Sequence, residues 1–132
     1  MMDMEELNKE LNLIEFLDNY EVEYKVENDK VITDYVDLSY EGIWELPKDI
    51  GLLECVLLDL SHNNIKELPI SIGDIICKSL YLQSNRIPKS GIKYIDRIEN
   101  LEIVRIDYSQ DLSEIKKLCI VNTRKDKINS LN

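Results

Sequence analysis

The sequence predicts an α/β chain: a short stack of about four similar units whose strands form a parallel sheet, closed at the N-terminal end by a helix and a β-hairpin. Three observations predict it. Residues 36–85 repeat themselves at a fixed offset of 22 residues. Inside each unit, apolar and polar residues alternate briefly and then space out to every third position. Ahead of the first unit lies an amphipathic stretch, followed by two β-rich runs around Asn28-Asp29.

The repeat reads Val36-x-Leu38, Ile43-x-x-Leu46-Pro47-x-x-Ile50-Gly51, then Leu58-x-Leu60, Ile65-x-x-Leu68-Pro69-x-x-Ile72-Gly73. Self-similarity at a period in the twenties marks a stacked-repeat chain. Alternation in Leu58-Asp59-Leu60 and Leu80-Tyr81-Leu82 is the pattern of a short strand with one buried face. The wider spacing of Ile65, Leu68 and Ile72 suits a returning arm of helical or irregular turns. One unit cannot bury its apolar side alone, so stacking buries it against the next. Gly51 and Gly73 are expected to supply permissive backbone angles in the return turn.

Asn63 and Asn85 stand in equivalent places where the strand ends. The chain turns inward there and leaves backbone groups without ladder partners. A side-chain amide both donates and accepts, so it satisfies such groups in its own and neighbouring units. Glu41 and Ser109 fill the same slot in the outer units, which are less regular. The third unit keeps Cys77-x-x-Leu80-x-Leu82-x-x-Asn85-x-Ile87. Its return arm runs through Ile92, Ile95 and Ile98 to Leu101, with Ser90 as the expected N-cap of a short helix. A fourth strand is expected at Val104-Arg105-Ile106 and a truncated last one at Leu118-Cys119-Ile120, before a polar tail.

The run Leu58-x-Leu60-x-x-Asn63-x-Ile65-x-x-Leu68-Pro69 resembles the leucine-rich repeat family, in its short Leu-Pro-x-x-Ile-Gly form. The resemblance implies a right-handed solenoid with the parallel sheet on its concave face, and a protein or peptide partner bound there. On this reading residues 1–30 form an N-terminal cap, 31–110 the rungs, and 111–132 a C-terminal cap and tail. A stack exposes core at both ends, so atypical terminal units are expected. Asp3 with Glu6 has the spacing of a capping box, and Met4, Leu7, Leu11 and Ile14 then line one helical face to an end near Asn19. Val22-x-Tyr24-x-Val26 and residues 31–35 make the hairpin. The competing reading is a mobile acidic arm that finds a partner.

Composition narrows the function. At 132 residues with a net charge of −10, one acidic domain is expected, and nucleic acid and anionic membranes would repel it. The first 30 residues hold ten acidic against three basic side chains, while Lys116, Lys117, Arg124, Lys125 and Lys127 dominate the end. That asymmetry permits weak head-to-tail association between copies or a basic partner at the N-terminal end, the plainer alternative being a solvated surface. The sequence lacks a signal-peptide pattern at its start and any membrane-length apolar run, so an intracellular, cytoplasmic setting is expected.

No catalytic or cofactor pattern emerges. The single histidine, His62, cannot anchor a usual metal set, and solvent exposure is its expected state. Ser61 and His62, as strand neighbours, point to opposite faces and suit no triad with Asp59. Cys55, Cys77 and Cys119 are odd in number; the first two share a core position of consecutive units and are expected as buried thiols. No cofactor or metal is therefore expected, and no enzyme.

The alternation also gives the outward face. Its candidate contact residues are Tyr35, Asp37, Leu57, Asp59, Tyr81, Gln83, Ile103, Arg105 and Tyr108, joined by Ser39, Ser61 and Ser79. Outward Tyr, Leu and Ile among hydrogen-bonding groups have the composition of an interface core. The plainer alternative is that they are strand formers stabilising the sheet by cross-strand contacts. Asp37 and Asp59 would stand side by side, calling for a cation or solvent screening. Trp44 is expected on the outer return arm, either exposed or tucked beneath the N-terminal cap, with the tucked position preferred.

Overall fold

The strands here are two to four residues long because so little of each unit alternates, and a strand this short is stable only beside its neighbours. The computed structural model describes residues 11–107 and 120–122, and within them the fold is mixed α/β, with two small sheets and few helices. In chain order a helix (Leu13–Asn19) precedes β1 (Lys25–Glu27), β2 (Lys30–Ile32) and β3 (Tyr35–Asp37). Next come a 3-10 turn (Ile50–Leu52), β4 (Leu53–Glu54), β5 (Leu57–Asp59), a second 3-10 turn (Ile70–Asp74) and β6 (Ser79–Tyr81). A short helix (Lys89–Ile92) continues into a third 3-10 turn (Lys93–Arg97), followed by β7 (Ile103–Ile106) and β8 (Ile120–Asn122).

The larger sheet has the order β3-β5-β6-β7-β8, every pair parallel. Its register follows the sequence repeat: Val36 faces Leu58, Leu58 faces Leu80, and Leu80 faces Val104. These four side chains are buried, as are Leu38, Leu60, Leu82 and Ile106 two residues on. Opposite them, Ile43, Ile65 and Ile87, then Leu46 and Leu68, then Ile50, Ile72 and Ile95 complete one continuous apolar core. The last strand lies at Ile120–Asn122 rather than at 118–120; Leu118 and Cys119 fall outside the described residues.

The return arms are organised by proline. Pro47, Pro69 and Pro88 each offer a carbonyl three residues ahead, to the N–H of Ile50, Ile72 and Gly91 at 3.0–3.1 Å. A fixed proline φ and a free carbonyl suit the start of such a turn. In the third arm Pro88, rather than Ser90, is the residue ahead of the helix. The glycines serve a different purpose from the one expected. Among the described glycines only Gly42 has a positive φ. A Cβ on Gly51 would stand 2.6 Å from the carbonyl oxygen of Ser71, and one on Gly73 2.9 Å from that of Tyr94. Gly51 and Gly73 thus let successive return arms approach each other backbone to backbone.

At the N-terminal end of the described residues, the helix Leu13–Asn19 is capped by Asn12. Asn12 is extended, with φ −117° and ψ 162°, and its side chain accepts the N–H of Glu15. Residues 1–10, with the expected Asp3 cap and the Met4 and Leu7 positions, lie outside the described residues. The buried face is Leu13, Phe16 and Leu17, while Leu11 and Ile14 are only half-buried. Asp49 fixes the docking by accepting the Leu13 N–H at 2.8 Å across 36 positions of sequence.

The hairpin pairs Lys25 with Ile32 and Glu27 with Lys30, turning through Asn28 and Asp29, both at positive φ. Asn and Asp tolerate that conformation, which replaces the missing glycine. Its second strand is also part of the repeat. β2 pairs in parallel with β4, and Glu54 bridges in parallel to Ile76. Residues 31–35 therefore divide between two strands, cornering at Thr33-Asp34, and β2 opens a second parallel ladder.

Candidate functional site

The side chains of the larger sheet that do not enter the core stand in columns set by the register. One column is Tyr35, Leu57, Ser79 and Ile103. Beside it runs Asp37, Asp59, Tyr81 and Arg105. Tyr35 is 70 % exposed and Asp37 is exposed, while Leu57, Asp59, Tyr81, Ile103 and Arg105 are half-buried. Gln83 is half-buried further along, and its Oε1 is shielded from solvent without a hydrogen-bond partner. Eight of the nine expected contact residues share this face; Tyr108 lies outside the described residues.

Local chemistry shapes the charged column. Asp37 Oδ1 accepts the Ser39 hydroxyl at 2.6 Å and the Ser39 N–H at 3.1 Å. Asp59 repeats the motif with Ser61, at 2.6 and 2.9 Å. An aspartate two residues before a serine thereby closes a small turn at each strand end. The Ser39 hydroxyl, with its N–H, holds the Asp37 carboxyl below its ordinary range. Ser61, expected on the outward face, is buried instead, because its hydroxyl folds back on Asp59. At the other end the Arg105 guanidinium lies over the Tyr81 ring, 4.2 Å from its centroid.

The strand exits are held by the two asparagines. Asn63 Oδ1 accepts the N–H groups of Glu41 and Ile43, and its Nδ2 donates to the carbonyls of Leu38, Leu60 and Ser61. Asn85 accepts from Ile65 and donates to Leu60, Leu82 and Gln83. Each amide therefore ties its own strand exit to the one before it. Tyr40, His62 and Ser84 sit at the matching positions with φ of 57°, 57° and 58°. The Tyr40 and His62 rings stack at 4.4 Å with 4° between planes, so His62 is half-buried beneath an exposed tyrosine.

Elsewhere the surface differs from expectation at one residue. Trp44 is 67 % exposed at the rim of a shallow cleft lined by Leu11, Phe16 and Tyr20, and is not covered by the described cap. Its neighbour Ile43 takes the inward position, which turns Trp44 away. Cys55 and Cys77 are buried free thiols. Burial pushes both thiols up, Cys77 to about 12, and thiolate chemistry is disfavoured at both. Among the described residues no group of three or more His, Cys, Asp or Glu can hold a metal ion. No helix among them is long and apolar enough to cross a membrane.

Compared with protein-family models and with curated proteins, the sequence matches none. The reading of this face therefore rests on its own geometry. Sequence reasoning missed the Asp-x-Ser turns and the left-handed strand exits. The first is legible as Asp37-Leu38-Ser39 and Asp59-Leu60-Ser61; the second has no shared composition signal, since of Tyr40, His62 and Ser84 only the histidine is of a type enriched at positive φ.

Proposed function

We propose that the chain is a small leucine-rich-repeat-type solenoid that binds a protein or peptide on the outward side of its parallel sheet and performs no catalysis of its own. The observation that carries this reading is the in-register column Asp37, Asp59, Tyr81, Arg105 beside the apolar column opened by Tyr35 and Leu57. Tyr35, 70 % exposed, and half-buried Leu57 give this face the aromatic and apolar groups that interface cores favour. The fixed offset of 22 residues, the asparagine bonds and the backbone contacts at Gly51 and Gly73 support the solenoid. The net charge of −10 favours a protein partner over nucleic acid or an anionic membrane.

The test compares three immobilised proteins in quantitative capture from the native cell: the natural chain, Tyr81→Glu, and Glu67→Lys on the exposed return arm. Loss of the same specifically retained protein in Tyr81→Glu, with retention in Glu67→Lys and unchanged circular dichroism in both, is the expected result. Equal retention by all three sinks the reading. The alternative is self-assembly, favoured by one observation: β1 and β3 are edge strands, with Val26 and Tyr35 exposed on them. Edge strands are templates for further pairing. Sedimentation that shows one species of monomer mass at high concentration removes it.

A further inference from the structure

Resting on the proposed binding face, we infer its partner's chemistry: the column Asp37–Asp59–Tyr81–Arg105 fits an extended peptide that crosses the strands with a Lys or Arg at one position and an Asp or Glu four residues away. Neighbouring strands lie about 4.8 Å apart, so Asp37 and Asp59 are separated by about one such step. Like charges in one column of adjacent strands repel until solvent or a cation screens them, and a basic side chain of the partner between them would do so. Each ties its Oδ1 to a serine, so the pair is held in place and neither is swung away into solvent. Among the described residues no basic side chain forms an ion pair with either.

Counting along the column sets the spacing. Tyr81 stands about 7 Å, and Arg105 about 12 Å, from the midpoint of the two aspartates, at one strand separation per step. Side chains on one side of an extended peptide recur about every 6.7 Å, so residue i+2 reaches Tyr81 and residue i+4 reaches Arg105 at about 13 Å. Arg105 is oriented by its contact with Tyr81 and forms no ion pair with a described carboxylate. Its fork is presented to an incoming carboxylate, which it can take in two parallel hydrogen bonds. In the neighbouring column Tyr35, Leu57 and Ile103, with Ser79 between the last two, supply apolar surface for the stems of the partner's side chains.

The experiment measures fluorescence anisotropy of labelled Thr/Val peptides that carry one Arg and one Glu separated by two, three or four positions. The peptide with four-residue separation is expected to bind about fivefold more tightly than the one with three, whose two charges point to opposite sides. Raising the salt should narrow that difference. Arg105→Glu should lose it and restore binding to a peptide with Arg at both positions. Such rescue can come only from a folded variant. Binding that ignores spacing, or a charge swap without rescue, overturns the inference. If such spacing-blind binding still disappears in Tyr81→Glu, the face remains a binding site and only the charge register fails. A peptide set that does not bind at all also overturns the register, and the capture comparison then judges the face by itself.

Discussion

Asn63 does more than any other single side chain described here to join one unit to the next. Its five bonds reach Leu38, Glu41 and Ile43 behind it and Leu60 and Ser61 beside it. Asn63→Ala would leave these backbone groups to find water or go unpaired, and each buried unpaired group costs about 1–3 kcal/mol. Partial solvent access lowers the sum, so a loss of about 3 kcal/mol is expected in urea unfolding, against about 0.5 kcal/mol or less for exposed Asn64→Ala. The role of Asn63 was legible because a side-chain amide combines an NH2 donor with a carbonyl acceptor on one short side chain. The left-handed strand exits were not, since Tyr40 and Ser84 carry no residue-type signature for positive φ and His62 alone makes no pattern. Asp37 supports a second expectation. Its lowered carboxyl favours the folded state above the ordinary carboxylate range, and that contribution is lost as pH falls through the lowered value. Ser39→Ala should raise the Asp37 pKa in a carbon-13 NMR titration; an unchanged value would separate the shift from the Ser39 hydrogen bonds.

At the scale of elements, the return arms show why the repeat spacing is so strict. Gly51 packs against Ser71 and Asp74 of the next arm, and Gly73 against Tyr94 and Arg97 of the one after. Gly51→Ala places a methyl 2.6 Å from a backbone oxygen, where no side-chain rotation relieves it. The two arms must separate, at an expected cost of about 1–3 kcal/mol. Thermal unfolding checks this, and a variant as stable as the natural chain would show that the arms are not in contact. Sequence reasoning located these glycines correctly and misjudged their purpose, because the demand for close approach lies in the neighbouring arm. The expected Asp3 cap lies outside the described residues, and the helix that is described carries its own cap. Asp3 with Glu6 and Asn12 with Glu15 have the same capping spacing, and the described helix uses the second. The second parallel ladder was invisible because Leu53–Glu54 is too short to display alternation.

Across the whole molecule the core runs without interruption from Leu13 to Ile106, yet its stability cannot be uniform along that path. β5 and β6 have a parallel neighbour on each side and bury Leu58, Leu60, Leu80 and Leu82 between return arms. β1 has only β2 for a partner, and all three of its residues are exposed. Stacked units are stabilised by contacts with their neighbours, so the interior opens only when much of the stack opens. The Leu60 N–H donates to Tyr81 at 2.9 Å and the Leu82 N–H to Arg105 at 2.7 Å, both across interior strand pairs. Native-state hydrogen exchange should therefore find these two amides among the slowest, approaching the free energy of global unfolding. Amides of β1 should exchange faster by about a hundredfold or more, through local fraying that leaves the larger sheet intact. The cap helix is the informative intermediate. Leu13, Phe16 and Leu17 bury their side chains against the first unit and Asp49 holds the Leu13 N–H, so the Phe16 amide should follow the interior. If Phe16 instead exchanges with β1, the helix is a detachable arm, and the acidic N-terminal segment would act as a partner-seeking element instead of a cap.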